Sequence, residues 1–515
     1  MPPTPHDSAG TLAADPARWH ARLASTPALL MLLAAWLLAT LGLRPLLLPD
    51  EGRYGEVARA MLHADALVPT LNGLPFFHKP PLFYWLDMAA MRLFGSHEFA
   101  ARFGSAVGAW VMGAALLLAL RRWHASQGER VAAIALGVLA TTPFFFVGAQ
   151  YANHDMLVGG LITAAILALV RALDAPPRVD LRWLVAGWVL CALAMLAKGL
   201  IGIVLPALVI GPWLLAQRRW RQMFALLHPL GLLAFALVAA PWFVAMQLRY
   251  PGYFDYFFIE QHFRRFEQSN FNNVQGVWFF IVVMPALTLP WSAWLPAALR
   301  RAWAARRGAD ARMLGLYAWW VIAVLGFFSI PSSKLVGYAL PALAPWCVLL
   351  ALAVAARGGR AWPWVMGASA LACVAIVGAV AWKAPLSNRT LALALAARIA
   401  PADPVVMVDE FLYDVPFYAR LNRPVLIASD WADPALPLHD NWRKELFDAA
   451  RFDPALGRAV LRPLEPLDAL ACGAGAAWFI ASTENAARVA ALAGATRVYA
   501  DARQQLWRVP GHACR

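Results

Sequence analysis

Long stretches without a single charged residue dominate this chain: Pro27–Leu43, Val131–Ala149, Gly276–Leu299, Met313–Ile330 and Trp362–Trp382. Each approaches the roughly 20 residues that a helix needs to cross the hydrocarbon core of a bilayer. Of the 515 residues, 61% are hydrophobic and 14% charged, whereas soluble domains are about half apolar and a quarter charged. Too few charges remain to cover the apolar surface, so the chain needs lipid. It reads as an α-helical polytopic membrane protein.

The net charge of +14 is an orientation signal. Arginines bunch in every second connection, for example Arg121, Arg122 and Arg130, then Arg218, Arg219 and Arg221, then Arg300 and Arg301. That is the positive-inside pattern of cytoplasmic loops, and it argues against a nucleic-acid partner. Spans are expected at about 27–43, 98–120, 131–149, 151–170, 183–197, 199–217, 223–246, 276–299, 313–330, 335–356 and 361–382. Two more would fit in 80–95 or the C-terminal part, giving about 11 to 13 spans. With the N-terminus inside and the first span uncleaved, segments 44–97, 150–154, 247–275 and 331–337 face outward, as does everything after 383.

Two of those outward segments are long. "EGRYGEVARAMLHA" spaces Val57, Met61 and Leu62 helically among charges, which predicts an amphipathic helix on the membrane surface. "PLFYWLDMAAMRLFG" and "RYPGYFDYFFIEQHFRRFEQSN" carry the aromatic residues that suit the headgroup layer. Composition then changes, so that a membrane domain of 1–382 is followed by a periplasmic domain of 383–515. There, β-rich runs ("PVVMVDE", "PVLIAS", "AAWFIAS", "TRVYAD", "QLWRVP") alternate with helical ones, the pattern of a small α/β domain. It holds no nucleotide-binding motif and no chemistry is assigned to it. Cys191, Cys347 and Cys373 lie in apolar runs as packing residues. Cys472 and Cys514 can pair if their domain faces an oxidising compartment.

Ionisable residues gather on the outward side: Asp50, Glu51, Arg53, Glu56, His78, Lys79, His154, Asp155, Lys198, His262, Arg264, Arg265 and Lys334. Charge at membrane depth is costly and marks function by default. Each residue also has a plainer reading. Asp50, Glu51 and Asp155 suit helix starts as caps. Lys79, held extended before Pro80-Pro81, can snorkel. Arg264 and Arg265 can touch headgroups, and Lys198 can belong to a simple hairpin turned by Gly199. A divalent metal at His78 and His262 would rest on only two ligands, a weak signal.

The ordered set "PDEGRYGEVARAML", "GLPFFHKPPLFYW", "NHDMLVGG", "AKGLIGIVLP", "YFFIEQHFRRF" and "FFSIPSSKLVGYALP" resembles the bacterial GT-C glycosyltransferases that use polyprenyl-phosphate sugars. The likeness is to the family of the lipid A aminoarabinose transferase and its protein mannosyltransferase relatives, across roughly 50–345. The resemblance implies a GT-C fold and transfer of a sugar from an undecaprenyl-phosphate donor, with inversion, to lipid A or another glycolipid or glycan. It implies an enzyme in the bacterial inner membrane whose active site faces the periplasm. It assigns Asp50 as the catalytic-loop acid, with Asp155 and Glu51 beside the sugar and acceptor. Lys79, Arg265 and Tyr338, with Arg264 and Lys334, would hold the lipid phosphate; Tyr54, His78 and His262 would line the substrate site. No metal is required where lysine and arginine supply the charge. The family usually has Glu where this chain has His78, is longer, and differs in its C-terminal domain, so the sugar and the acceptor stay open. A periplasmic protein O-glycosyltransferase and a lipid-sugar transporter or flippase are the alternatives.

Overall fold

The computed structural model describes residues 25–123, 128–174, 178–264, 273–304, 311–357, 361–383, 386–473 and 475–513, with the side chains of 128 and 262–264 also outside the description. Seven helices are long and apolar enough to cross a membrane: Ala100–Trp123, His154–Arg171, Leu181–Lys198, Pro229–Arg249, Ala311–Ser329, Val336–Arg357 and Trp362–Lys383. Two bent pairs raise the number to nine, and Thr26–Leu38 and Ile201–Ala216 are shorter apolar helices. The chain is a multi-pass membrane protein.

The expected spans 131–149 and 276–299 are the two that break. Glu129–Ala140 and Pro143–Ala149 meet at 64°, and Phe279–Leu287 and Trp291–Ala304 at 109°. A proline explains each break, because it disfavours helical geometry in the residue before it. Thr142, ahead of Pro143, is extended (φ −70°, ψ 124°), and Pro290 precedes the second half of the other pair. Backbone freed at such a break needs a partner where water is scarce. Side chains tie the breaks to each other and to neighbouring spans: Trp291 Nε1 donates to Thr141 Oγ1 (3.1 Å), Trp346 Nε1 to Thr288 Oγ1 (3.1 Å), and Ser369 Oγ to Thr141 O (2.5 Å). Elsewhere helices meet backbone to backbone. A Cβ on Gly160 would lie 2.0 Å from Gly108 O, so the first and second of the long spans need glycine at that crossing.

The Asp50–His63 helix forms as expected but does not float on the membrane surface. Glu51, Tyr54, Glu56, Val57, Arg59 and Met61 are all buried. Its polar face is covered by the C-terminal domain: Arg59 pairs with Glu56 (2.7 Å) and also donates to Leu421 O. A tight hairpin, β1 (Thr70–Leu71) and β2 (Leu74–Pro75), follows. Asn72 at its tip exchanges hydrogen bonds with Val425 (2.9 and 2.8 Å). Leu82–Phe94 is a 13-residue helix, too short to span. In the second outward loop several of the described aromatic residues pack inward, while Phe254 is exposed. Tyr253, Tyr256 and Phe257 join Phe77, Trp242 and Phe243 in one buried cluster.

The C-terminal part is an α/β sheet domain. Its strands are β3 (Val405–Val408), β4 (Leu426–Ala428), β5 (Leu461–Arg462), β6 (Ala476–Ser482), β7 (Thr496–Ala500) and β8 (Gln504–Pro510). They lie in the order β5-β4-β3-β6-β8-β7. The first four are parallel; β8 runs antiparallel to β6 and β7. All five runs read as strands from the sequence are strands. Cys472 is disulfide-bonded while Cys191, Cys347 and Cys373 are free; Cys514 lies outside the described residues.

Glu410 follows β3. Burial pushes its carboxyl up to about 7, against the pull of a hydrogen bond from Gln504 Nε2 (2.7 Å) and with a small push from Asp409. A carboxyl with a raised folded value contributes stability below its ordinary 4.5 and loses it as pH rises through about 7. Glu410→Gln should therefore flatten part of the fall in unfolding temperature across that window, an effect of about 3 kcal/mol. Thermal unfolding of the whole chain followed at several pH values tests this, and an identical pH slope in the variant would refute it.

Candidate active site at the mouth of the bundle

Asp50 and Glu51 open one helix, where acids suit the positive end of its dipole, yet they have different surroundings. Glu51 is fully buried. Its Oε1 accepts from Arg44 Nη2 (3.0 Å), Arg102 Nε (2.7 Å) and Ala152 N (2.9 Å). Its Oε2 accepts from Arg44 Nη1, Arg102 Nη2 (3.1 Å) and Leu47 N (2.9 Å). Both oxygens are saturated. Burial alone would raise this carboxyl, but Arg102 and Arg44 outweigh it and hold the group at about 2. Glu51 was expected among the catalytic acids; its surroundings are those of a tie between three segments of chain.

Asp50 is half-buried, with a side chain 29% exposed. It pairs with Arg53 and accepts from Asn153 Nδ2 (3.2 Å). The same Asn153 caps the next long helix, its Oδ1 accepting from Asp155 N (3.0 Å). One side chain thus holds two acids from distant segments near each other. Asp155 forms an ion pair with Lys198, and the Lys198 ammonium stands 5.0 Å from the centre of the Tyr338 ring. Tyr338 in turn stacks on Phe328 (4.9 Å). Gly337 makes this approach feasible, since a Cβ there would lie 2.2 Å from Asp155 Oδ2.

His154 forms the floor. It is fully buried, with neither ring nitrogen partnered. Tyr54 (4.6 Å), Phe83 (4.6 Å) and Tyr84 (5.0 Å) surround its ring. Tyr54 also accepts from Arg53 Nη2 at 3.3 Å. The charges of Lys79, Lys198 and Arg53 all bear on His154, so the Lys-Pro lysine faces the same cluster as the two acids. Lys79 Nζ donates to His78 O (3.0 Å). The His78 ring stacks on Phe76 (4.4 Å), with Tyr256 of the second outward loop 6.1 Å away.

Lys334 has a different setting from the one expected. It is buried, and its ammonium donates to Gln275 O (2.8 Å) and Pro331 O (2.5 Å). It therefore ties the 331–337 turn to the end of the second outward loop, where Val274 and Ser333 also pair. Arg265 and the side chains of Arg264 and His262 lie outside the described residues, and with them the expected His78–His262 metal pair.

Arg53, Asn153, Lys198 and Glu445 take part beyond the residues assigned to the site from the sequence. Lys198 had a sufficient explanation as a hairpin residue, although a lysine between two apolar spans is itself a signal. Glu445 comes from the C-terminal domain, on the Trp442–Ala450 helix. It pairs with Arg53 and accepts from Tyr413 Oη (2.7 Å). Burial raises its carboxyl, and Arg53 opposes that rise. Nothing in the short run "NWRKELFDAA" singles this glutamate out.

Residues 78–244 match the family described as dolichyl-phosphate-mannose-protein mannosyltransferase. The undecaprenyl phosphate-alpha-4-amino-4-deoxy-L-arabinose arabinosyl transferase of Erwinia tasmaniensis is 35% identical over 338 residues, 64% of this chain and 59% of that protein. The transferase of the same name from Pseudomonas aeruginosa strain PAO1 is 35% identical over 337 residues, again 64% and 59%. The chain thus spans about three fifths of the length of these curated relatives. The crystal structure of ArnT from Cupriavidus metallidurans bound to undecaprenyl phosphate superposes with a TM-score of 0.80, at 24% identity, over 96% of this chain and 98% of that one. Archaeal oligosaccharyltransferase AglB from Archaeoglobus fulgidus superposes at 0.52, with 14% identity, over 90% and 70%. The fold is that of ArnT, a helical membrane bundle with a C-terminal α/β sheet domain. In sequence the chain is similar to the undecaprenyl phosphate-alpha-4-amino-4-deoxy-L-arabinose arabinosyl transferases over 64% of its length.

Proposed function

We propose that this protein is an inner-membrane glycosyltransferase that moves a sugar from an undecaprenyl-phosphate donor to lipid A or a similar glycolipid. The observation that carries the proposal is the cluster at Asn153. Asp50 and Asp155 are held by one side chain, beside Lys198 and Tyr338. The names of the relatives support the donor and the reaction. In this reading the arginine-rich face is cytoplasmic and the site opens to the periplasm. The bent pairs and the two short apolar helices would each complete a crossing, giving eleven.

In the reaction an acceptor oxygen attacks C1 of the sugar, a new C1–O bond forms, and the bond from C1 to the lipid phosphate breaks. Negative charge grows on the departing phosphate. Cations fixed where that charge develops lower the barrier, because they need no reorganisation as it appears. Lys79 and Arg265 take this role, with the Tyr338 hydroxyl donating to the phosphate. Asp155 and Lys198 position the sugar or acceptor. Asp50 accepts the proton if the nucleophile is a hydroxyl; if it is a phosphate oxygen, no base is needed and Asp50 orients the sugar. Displacement in line inverts C1. The cations make a metal unnecessary. Glu51 shapes the loop and takes no part in bond making.

The test is reconstitution of the purified chain with labelled undecaprenyl-phosphate sugar. Labelled lipid A, formed without added metal and unaffected by chelator, is the expected result. Label in peptide would identify a protein O-glycosyltransferase, a reading that the mannosyltransferase match favours. Donor crossing the bilayer without covalent product would identify a flippase. Either outcome overturns the proposal.

A further inference from the structure

At the arginine-rich end of the bundle, opposite the site, a groove of about 620 Å³ opens between the Ile201–Ala216 and Ala311–Ser329 helices. That volume lies within the roughly 300–1,000 Å³ of ligand pockets. Pro212, Trp213, Ala216, Gly315 and Trp319 make its walls apolar, and Arg312 is the charged residue at its edge. A side chain added at Gly315 would meet no atom within 4 Å, so the helices leave real space between them.

Arg312 is unusual for a basic residue at a membrane edge. It is half-buried, and its guanidinium lies 5.2 Å from the centre of the Trp213 ring. Trp213 Nε1 donates to Arg312 O (3.2 Å), which holds the indole against the start of that helix. Yet Nε and Nη2 have no partner. Arg219 adds positive charge and Asp174 acts only from a distance; Asp174 is itself engaged by Arg171 (3.1 Å) and Arg122 (4.0 Å). A half-buried cation without an ion-paired carboxylate among the described residues is costly. An anion completes it.

We infer that this groove binds one anionic phospholipid of the facing leaflet, its phosphate on Arg312 and an acyl chain along the apolar walls. Charge and shape both select that occupant. Basic pockets between transmembrane helices at this depth take anionic headgroups, and a free anion would leave the apolar groove unfilled. The inference stands independently of the proposed reaction.

Native mass spectrometry of the purified full-length chain, titrated with phosphatidylglycerol or phosphatidylcholine, tests it. Wild-type protein should retain one phosphatidylglycerol at about tenfold or greater preference, a difference of roughly 1.4 kcal/mol. Arg312→Gln should erase the preference. Gly315→Leu, which fills the groove and leaves every charge in place, should reduce binding of both lipids. Equal retention of the two lipids by wild type would overturn the inference. So would unchanged phosphatidylglycerol binding in Gly315→Leu, or its displacement by inorganic phosphate.

Discussion

Lys79→Ala should lower turnover by about 10²–10³-fold while leaving the protein folded. Its ammonium donates to His78 O, and the residue is only half-buried. Losing it therefore costs little native structure. The reaction is different. Lys79 stands among the groups whose charge reaches His154, beside the Asp155–Lys198 pair. An interaction that strengthens as the phosphate departs acts on kcat more than on KM. Lys79→Arg should recover part of the loss, since charge is kept and geometry is not. The measurement is single-turnover transfer from the labelled lipid, alongside thermal unfolding. A variant that unfolds, or one that only weakens donor binding, would remove Lys79 from the chemistry.

What was legible in the sequence follows from where each signal lives. Apolar runs and arginine clusters are properties of segments, so the bundle could be read without contacts. The breaks at Pro143 and Pro290 were written in the sequence as well. They read as continuous spans because hydropathy counts residues and ignores the backbone geometry that proline imposes. Asp155 was visible as an acid at the start of a span. Lys198 stands in the same outward group, but its pairing with Asp155 is not legible, because a loop lysine and a site lysine look alike until Gly337 admits the approach. The polar face of the Asp50–His63 helix predicted water or headgroups. It meets the C-terminal domain instead, through Arg53 and Glu445, and composition carries no trace of that pairing. The same limit applied to Asp50-Glu51: adjacent acids in one motif, whose different surroundings depend on Arg44 and Arg102 folding back.

That difference gives the sharpest contrast available in the chain. Asp50→Asn should leave stability nearly unchanged, because the residue is partly exposed and its partners Arg53 and Asn153 have other contacts. It should nevertheless lose most turnover if the acceptor is a hydroxyl. Glu51→Gln, one residue on, should destabilise the protein by about 3–5 kcal/mol, the cost of leaving buried charge without its partner. Arg44 and Arg102 are 5% and 0% exposed, so neither can turn to solvent. An amide also offers one acceptor oxygen where the carboxylate offers two. The pH dependence has a definite sign. A carboxyl held at about 2 against an ordinary 4.5 contributes stability above 4.5 and loses it as pH falls through 2. The amount is about 3 kcal/mol, and the glutamine variant should lack that part of the acid transition. Unfolding midpoints of wild type, Asp50→Asn and Glu51→Gln from pH 2 to 7 would measure it. If Glu51→Gln folds normally and fails only in transfer, Glu51 belongs with the catalytic acids and Asp50 does not act alone.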